Sequence, residues 1–142
     1  MRGIMIGIII VTHGNLGKVL LETAEMIIGS KIENCIDVSI NVNENADGLR
    51  DKIKQAIKKA DNNQGIIILT DMFGGTPSNL SYSFLEEGKT EVLSGINLPV
   101  LIRASELRKR LPLPEVAQRI ETFGKKSISL ASGILKGNPR SV

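Results

Sequence analysis

The sequence predicts an α/β fold of three layers, doubly wound, in which helices cover both faces of a mostly parallel sheet. Apolar runs rich in Ile and Val alternate along the chain with stretches of helical period, which is typical of βα units. Most of these runs are continuously apolar, as expected for strands buried on both faces. The length of 142 residues, with 42% hydrophobic and 23% charged residues, is typical of one compact domain, and we assign residues 1–142 to it.

The predicted elements follow one another in a regular order. The first strand is Ile4–Val11, followed by a helix over Leu16–Ile28 with Asn15 as its N-cap and Gly29 at its end. The next elements are a strand over Ile36–Ile40, a helix over Ala46–Ala60, a strand over Ile66–Thr70, a helix from Pro77, a weak strand over Glu91–Ser94, and helices near Leu98–Lys109 and Pro114–Phe123. Ser127–Ala131 alternates polar and apolar side chains, which predicts an antiparallel edge strand.

Composition argues against several classes of protein. The net charge is +3, but basic residues are interspersed with acids and only 3% of residues are aromatic, which disfavours a nucleic-acid-binding protein. The single cysteine, Cys35, forms no internal disulfide and reads as a half-buried strand residue. No apolar run reaches the length of a bilayer span and no cleavable signal is visible, so we expect a cytoplasmic protein.

Two loops carry the residues on which chemistry can depend. Ligands of open parallel sheets gather at the carboxyl ends of the strands, where the strand order reverses. The loop after the first strand is Thr12–Asn15, and the loop after the third is Asp71–Ser78. If the strand order is 2-1-3-4, these loops overhang the same crevice, and we expect the side chains of His13 and Asp71 to contact each other there.

The expected pairing of His13 with Asp71 predicts a nucleophile. A carboxylate that holds one ring nitrogen of a neutral imidazole fixes its tautomer and leaves the other nitrogen free to attack. Two glycines, Gly74 and Gly75, let the backbone approach closely, and the helix that follows presents backbone N–H groups. A phosphoryl group on the histidine would meet those N–H groups and the hydroxyls of three residues, namely Thr12, Thr76 and Ser78. This chemistry requires no metal and no cofactor.

Each of these residues also has an ordinary structural interpretation. A lone histidine is often structural, an aspartate after a strand is often a turn former or helix cap, and Gly-Gly is often plain turn chemistry. The basic cluster of Arg103, Arg108, Lys109 and Arg110 fits a solvated helix face, or an acidic protein partner if Arg103 and Arg108 lie at the crevice rim. The sequence has no residue spacing that matches a nucleotide-binding P-loop, a zinc site or a hydrolase triad.

Two motifs resemble the mannose-family IIA domains of the sugar phosphotransferase system. The first is Ile-Val-Thr-His-Gly at residues 10–14, followed by Leu-Leu-Glu-Thr-Ala-Glu-Met-Ile-Ile-Gly at residues 20–29. The second is Thr-Asp-Met-Phe-Gly-Gly-Thr-Pro-Ser-Asn at residues 70–79. Gly95–Pro99 resembles the segment after that family's fourth strand, so the resemblance spans most of the chain.

The resemblance implies roles for three residues and a set of partners. It implies that His13 is the phosphorylated histidine, that Asp71 binds its other ring nitrogen, and that Thr76 lies beside the phosphoryl group. It further implies transfer from HPr to a IIB partner, which phosphorylates a sugar that enters through a membrane permease. Family members have strand order 2-1-3-4 and form homodimers that exchange their carboxyl-terminal strands, which would account for Ser127–Ala131.

Some features depart from the family pattern, and other functions stay open. Gly17 stands where Ala is commoner, and no linker or IIB domain follows, so we expect the IIB component to be a separate protein. One alternative is the phosphotransfer subunit of a dihydroxyacetone kinase, although that family usually has Ser after the histidine where this chain has Gly14. The other alternative is a non-catalytic regulatory interaction module of the same fold.

Overall fold

Strands and helices alternate regularly in the computed structural model, which describes residues 5–41 and 43–137. In chain order the elements are β1 Gly7–His13, α1 Leu16–Ile28, β2 Cys35–Ile40, α2 Ala46–Ala60, β3 Ile66–Thr70, α3 Thr76–Tyr82, β4 Thr90–Ser94, α4 Leu98–Leu107, α5 Leu113–Lys126 and α6 Ala131–Leu135. Among the helices of these residues, none is long and apolar enough to span a lipid bilayer.

The four strands form one parallel sheet in the order β2-β1-β3-β4, which confirms the predicted fold class and strand order. The direction of winding reverses between β1 and β3, whose register pairs Val11 with Thr70. Because the strands are parallel, their carboxyl ends lie at one edge of the sheet. The chain therefore leaves β1 and β3 side by side, and this arrangement positions both candidate loops.

Helices cover both faces of the sheet. Alternate residues of the central strands face opposite sides, so Ile8 and Ile10 pack with α1, α4 and α5 while Ile9 and Val11 pack with α2 and α3. All four of these side chains are fully buried. The continuous apolar sequence of β1 is thus explained by burial on both of its faces.

The start of α1 differs from the prediction. Asn15 occupies the N-cap position, but its side chain makes no capping hydrogen bond. The hydroxyl of Thr12 accepts the bond from the N–H of Gly17 instead, at 2.8 Å. A Cβ atom on Gly17 would lie 2.9 Å from Cγ2 of Ile10, so glycine permits this close approach of α1 to β1.

Some element boundaries are also shifted. β1 continues through Thr12 to His13, which pairs with Ile40 of β2, whereas the predicted strand ended at Val11. The predicted start of that strand at Ile4 lies outside the described residues. α3 begins at Thr76, one residue before Pro77, and Gly75 is its N-cap residue.

The predicted antiparallel strand Ser127–Ala131 is absent from the single chain. Residues 127–130 form no strand, and Ala131 begins the short helix α6. Ile128 and Leu130 of this segment are 82% and 78% exposed, and a strand here would need a neighbouring strand to pair with. Exchange of this strand requires a second chain and stays a prediction.

The prediction that Arg108 lies at the crevice rim is wrong. Its side chain is fully buried, and its guanidinium donates hydrogen bonds to the backbone carbonyls of Ile6, Glu33 and Asn34. These carbonyls precede β1 and β2 and therefore lie at the edge of the sheet opposite His13. Its neighbours Lys109 and Arg110 are exposed, which matches the solvated face considered for the cluster.

Candidate functional site

The structure brings His13 and Asp71 into direct contact at the carboxyl edge of the sheet. His13 is the last residue of β1, and Asp71 directly follows β3. The Nδ1 atom of His13 lies 2.7 Å from Oδ2 of Asp71, and the backbone N–H of His13 donates to the same oxygen at 2.9 Å. The other carboxylate oxygen, Oδ1, accepts from the backbone N–H of Met72 at 2.9 Å. Asp71 therefore holds both the ring and the backbone of His13.

These hydrogen bonds decide the protonation state of the pair. Burial opposes ionisation of Asp71, but the hydrogen bonds from the backbone and ring of His13, together with that from Met72, lower its pKa below the ordinary value. Asp71 is therefore ionised at neutral pH and can only accept hydrogen bonds. The proton between the two side chains therefore belongs to Nδ1, and Nε2 has the free lone pair whenever the ring is neutral.

The two side chains differ in exposure. The side chain of His13 is 45% exposed, whereas that of Asp71 is only 10% exposed. A cleft of about 240 Å³ adjoins the histidine and is lined by Thr76, Ile40 and the start of α2. The imidazole ring is therefore accessible from solvent, while the carboxylate that contacts it is largely shielded from water.

Gly74 and Gly75 serve the site in different ways. Gly74 has φ = +86° and nothing within 4 Å of where a Cβ would lie, so glycine is needed there for the left-handed backbone. Gly75 has an ordinary φ of −86°, but its Cβ would lie 3.1 Å from Cε1 and 3.7 Å from Nε2 of His13. The absence of a side chain at Gly75 therefore leaves room for the imidazole ring.

The predicted hydroxyl groups fall into two sets. Thr12 and Ser78 are fully buried, and their hydroxyls are hydrogen bonded within the protein. Ser78 accepts from the N–H of Gly74 at 3.1 Å and donates to the carbonyl of Gly75 at 3.0 Å. Both side chains shape the loops. Thr76 is exposed and shares the cleft with His13, and no described residue accepts a hydrogen bond from its hydroxyl or from the N–H groups of Gly75 and Thr76.

Sequence reasoning missed two features of the site. The hydroxyl of Ser39 donates to the carbonyl of Gly14, and the N–H of Gly14 donates to the carbonyl of Ile40 at 3.1 Å, so β2 holds the loop after His13. The register of β1 with β2 could have indicated this role. The second feature is the apolar pair Met72 and Phe73, which are 56% and 78% exposed beside Asp71 and carry no signal in the sequence pattern.

The other candidate groups lie apart from this arrangement. Cys35 is half-buried in β2, as predicted, and burial raises the pKa of its thiol to about 12. Its thiol is therefore protonated at neutral pH and a poor nucleophile. Within residues 5–41 and 43–137, no group of three or more His, Cys, Asp and Glu side chains is placed to hold a metal ion.

Comparison with known proteins gives a consistent result. Residues 7–121 match the model of the EIIA-man family, described as the PTS system fructose IIA component. The chain is 33% identical over 129 residues to the fructose-specific EIIA component of Bacillus subtilis, an alignment that covers 90% of this chain and 88% of that protein. It is 35% identical over 120 residues to the mannose-specific EIIAB component of Escherichia coli K12, covering 82% of this chain and 37% of that longer protein.

A solved structure agrees with these sequence relatives. The crystal structure of phosphotransferase system component EIIA from Streptococcus agalactiae superposes with a TM-score of 0.80 at 29% identity, covering 90% of this chain and 98% of that one. The sequence relatives, the family model and this structural neighbour all identify the same family of proteins. The strand order 2-1-3-4 is the one expected for that family. The chain belongs to the EIIA-man family of sugar phosphotransferase system components, which are phosphotransfer proteins.

Proposed function

We propose that this chain is a phosphohistidine carrier that accepts a phosphoryl group on His13 from HPr and passes it to a separate IIB component. The sugar then receives the group as it enters through a membrane permease. The observation that carries the proposal is the 2.7 Å contact between Nδ1 of His13 and Oδ2 of Asp71 on an exposed ring. A largely shielded carboxylate that fixes the tautomer of an accessible imidazole suits nucleophilic attack better than a structural role.

The proposed step follows from the protonation state of the pair. The lone pair on Nε2 attacks phosphorus, a bond from Nε2 to phosphorus forms, and the bond from phosphorus to the donor breaks. The imidazole then carries a positive charge, because Nδ1 keeps its proton, and the carboxylate of Asp71 balances this charge. Transfer to the IIB component breaks the bond to Nε2 and restores the neutral ring.

The loop before α3 offers groups that suit the transferred phosphoryl oxygens. The hydroxyl of Thr76 and the N–H groups of Gly75 and Thr76 have no acceptor among the described residues. Thr76 shares the cleft with His13, and a Cβ on Gly75 would lie 3.1 Å from the His13 ring. Backbone N–H groups at the start of a helix favour anions. Thr12 and Ser78, which the sequence placed among the phosphoryl ligands, support the site instead by holding Gly17, Gly74 and Gly75.

Exposed apolar side chains around His13 suit a protein donor and acceptor. Met72 and Phe73 lie on the Asp71 loop, and the first turn of α1 exposes Leu16 and Val19, which are 45% and 50% exposed. Surface patches of this kind mark protein-binding sites. A carrier that must dock two partners in turn needs such a surface around its reactive nitrogen. We expect these exchanges to take place in the cytoplasm.

We also propose that two copies exchange their carboxyl-terminal segments. Among the described strands, β4 pairs only with β3, and beyond the bridge of Thr90 with Glu86 its outer edge is open to another strand. The groove along this edge contains the apolar side chains of Val92 and Leu93, and the segment that would enter it exposes Ile128 and Leu130. Apolar side chains would thus be removed from water when this segment from a second copy lies beside β4.

Phosphorylation followed by mass measurement tests the carrier function. Incubation of the protein with phosphorylated HPr should add one phosphoryl group, and peptide mapping should place it on His13, the only histidine in the chain. The His13→Ala variant should remain folded by circular dichroism and take up none. Absence of label on the wild-type protein favours the non-catalytic module, and label that survives in His13→Ala contradicts the proposal.

A further inference from the structure

Ser94, the last residue of β4, is connected to both ends of the segment that carries the site. The hydroxyl of Thr70 donates to Oγ of Ser94 at 2.8 Å, and the hydroxyl of Tyr82 lies 3.1 Å from the same oxygen. Thr70 directly precedes Asp71, and Tyr82 is the last residue of α3. One serine oxygen therefore joins the start of the Asp71 loop to the far end of the helix that follows it.

Thr70 is held firmly at this point. Its side chain is fully buried, and its backbone carbonyl accepts from the N–H groups of Gly95 and Ile96 at 3.0 and 2.9 Å. Its hydroxyl supplies a third connection to the end of β4 through Ser94. The backbone from which the Asp71 carboxylate extends is thus tied to the neighbouring strand.

Tyr82 acts on the other end of the segment. α3 has only seven residues, so a bond that anchors Tyr82 also limits the tilt of the whole helix, whose first residue is Thr76. The ring of Tyr82 also packs against Phe73, with ring centroids 6.2 Å apart and planes tilted by 47°. Movement of Tyr82 would therefore be transmitted both to Thr76 and to the loop beside Asp71.

We propose that Tyr82 is a positioning residue for phosphotransfer, which acts through Ser94 and Thr70 to hold Asp71 and the start of α3 at their distance from the His13 ring. This inference rests on the proposed function of His13. Tyr82 touches neither the imidazole nor the carboxylate, and its effect passes through the hydroxyl of Ser94. Removal of the Tyr82 hydroxyl frees α3 to tilt and loosens the contact between Asp71 and His13.

Two variants and a matched control test this role. Tyr82→Phe removes the hydroxyl and keeps the ring, Ser94→Ala removes the shared oxygen, and Ser83→Ala removes an adjacent hydroxyl that bonds only the carbonyl of Leu80. The first readout is the rate of single-turnover phosphorylation by phosphorylated HPr. The second is the Nδ1 proton resonance of His13, which is unambiguous because the chain has one histidine.

Tyr82→Phe and Ser94→Ala should each slow transfer about three- to tenfold, as expected when one neutral hydrogen bond no longer holds a site in place. Each should also shift the Nδ1 resonance, and the double variant should be no slower than the slower single variant. Ser83→Ala should change neither readout. The proposal is overturned if both variants keep the wild-type resonance, or if both keep the wild-type rate.

The two readouts separate this proposal from the proposed function. If the wild-type protein accepts no phosphoryl group, the carrier function fails, and the Nδ1 resonance alone then decides whether Tyr82 positions the pair. If Tyr82→Phe does not fold, Ser94→Ala decides the same question, because it removes the connection at its centre.

Discussion

At the residue scale, the carboxylate of Asp71 orients the imidazole ring of His13 and supplies the counter-charge that the proposed transfer needs. Asp71→Asn keeps the shape but places an amide where the carboxylate accepted hydrogen bonds, so the ring can adopt the wrong tautomer. We expect phosphorylation by phosphorylated HPr to slow roughly 10²-fold or more, as when the orienting aspartate of a catalytic triad is replaced. Single-turnover measurement of both proteins checks this prediction.

The melting temperature is the control for Asp71→Asn. The Asp71 side chain is only 10% exposed and accepts three hydrogen bonds. We therefore expect a loss of about 1–2 kcal/mol in the free energy of unfolding. Transfer at the wild-type rate would make Asp71 a turn residue only.

The two adjacent glycines give a second prediction. Gly75→Ala fits the backbone, but its methyl group would press on the His13 ring from 3.1 Å, so transfer should slow severalfold with little change in stability. Gly74→Ala places a side chain at φ = +86°, which should cost about 1 kcal/mol of stability. Kinetics and melting curves of both variants check this contrast, and a Gly75→Ala protein that transfers at the normal rate refutes it.

The sequence predicted the positions of some site residues and missed those of others. The sequence predicted that His13 and Asp71 lie together, because each was placed just after a buried strand. The carboxyl ends of neighbouring parallel strands share one edge of the sheet. The sequence could not separate Thr76 from Thr12 and Ser78, because all three are small hydroxyl residues in the same loops. Only the fold shows that two of them are buried and already hydrogen bonded.

At the element scale, Arg108 joins the end of α4 to the base of the sheet. Its guanidinium is fully buried and donates to carbonyls that precede β1 and β2. Arg108→Met removes this donor from all of them, and among the described residues only the carbonyl of Asn34 keeps a second donor, the N–H of Ile8. We expect a loss of about 2–4 kcal/mol in the free energy of unfolding. Denaturant titration measures this loss.

The position of Arg108 also predicts what should not change. Because it lies at the opposite edge of the sheet from His13, Arg108→Met protein that is folded should accept phosphate at nearly the wild-type rate. Arg110→Met removes an exposed arginine two residues away and should leave stability within about 0.5 kcal/mol. If Arg108→Met slowed transfer strongly without lowering stability, that result would contradict the buried position and support a location at the crevice rim.

Elements that bury continuous apolar runs or regular helical stripes were predicted to within a few residues. β3 and α2 match their predicted bounds. The apolar run of β3 and the helical spacing of apolar residues in α2 follow directly from which of their residues are buried. Ser127–Ala131 forms no strand in the single chain, and its exchange between two copies stays a prediction, since alternation shows which residues suit a strand but not which strand they pair with. Arg108 was misplaced for a similar reason, as a basic residue in a charged cluster resembles its solvated neighbours.

At the scale of the whole molecule, the exposed carboxyl-terminal segment predicts an assembly. Ile128, Leu130 and Leu135 are each more than three-quarters exposed, and burial between two copies would remove them from water. We expect a dimer at micromolar concentration, weakened or abolished by truncation after Lys126. Light scattering of both proteins measures the mass, and the same mass for both would argue against strand exchange.

The central claim is that the hydrogen bond between His13 and Asp71 makes Nε2 the atom that carries the phosphoryl group. Nitrogen and phosphorus NMR of the phosphorylated, ¹⁵N-histidine-labelled protein shows directly which ring nitrogen is bonded to phosphorus. The chain has a single histidine, so one set of signals gives the answer. We predict phosphorus coupling to Nε2 alone, with Nδ1 still protonated and bonded to Asp71. Coupling to Nδ1 would contradict the account, because the carboxylate occupies that side of the ring.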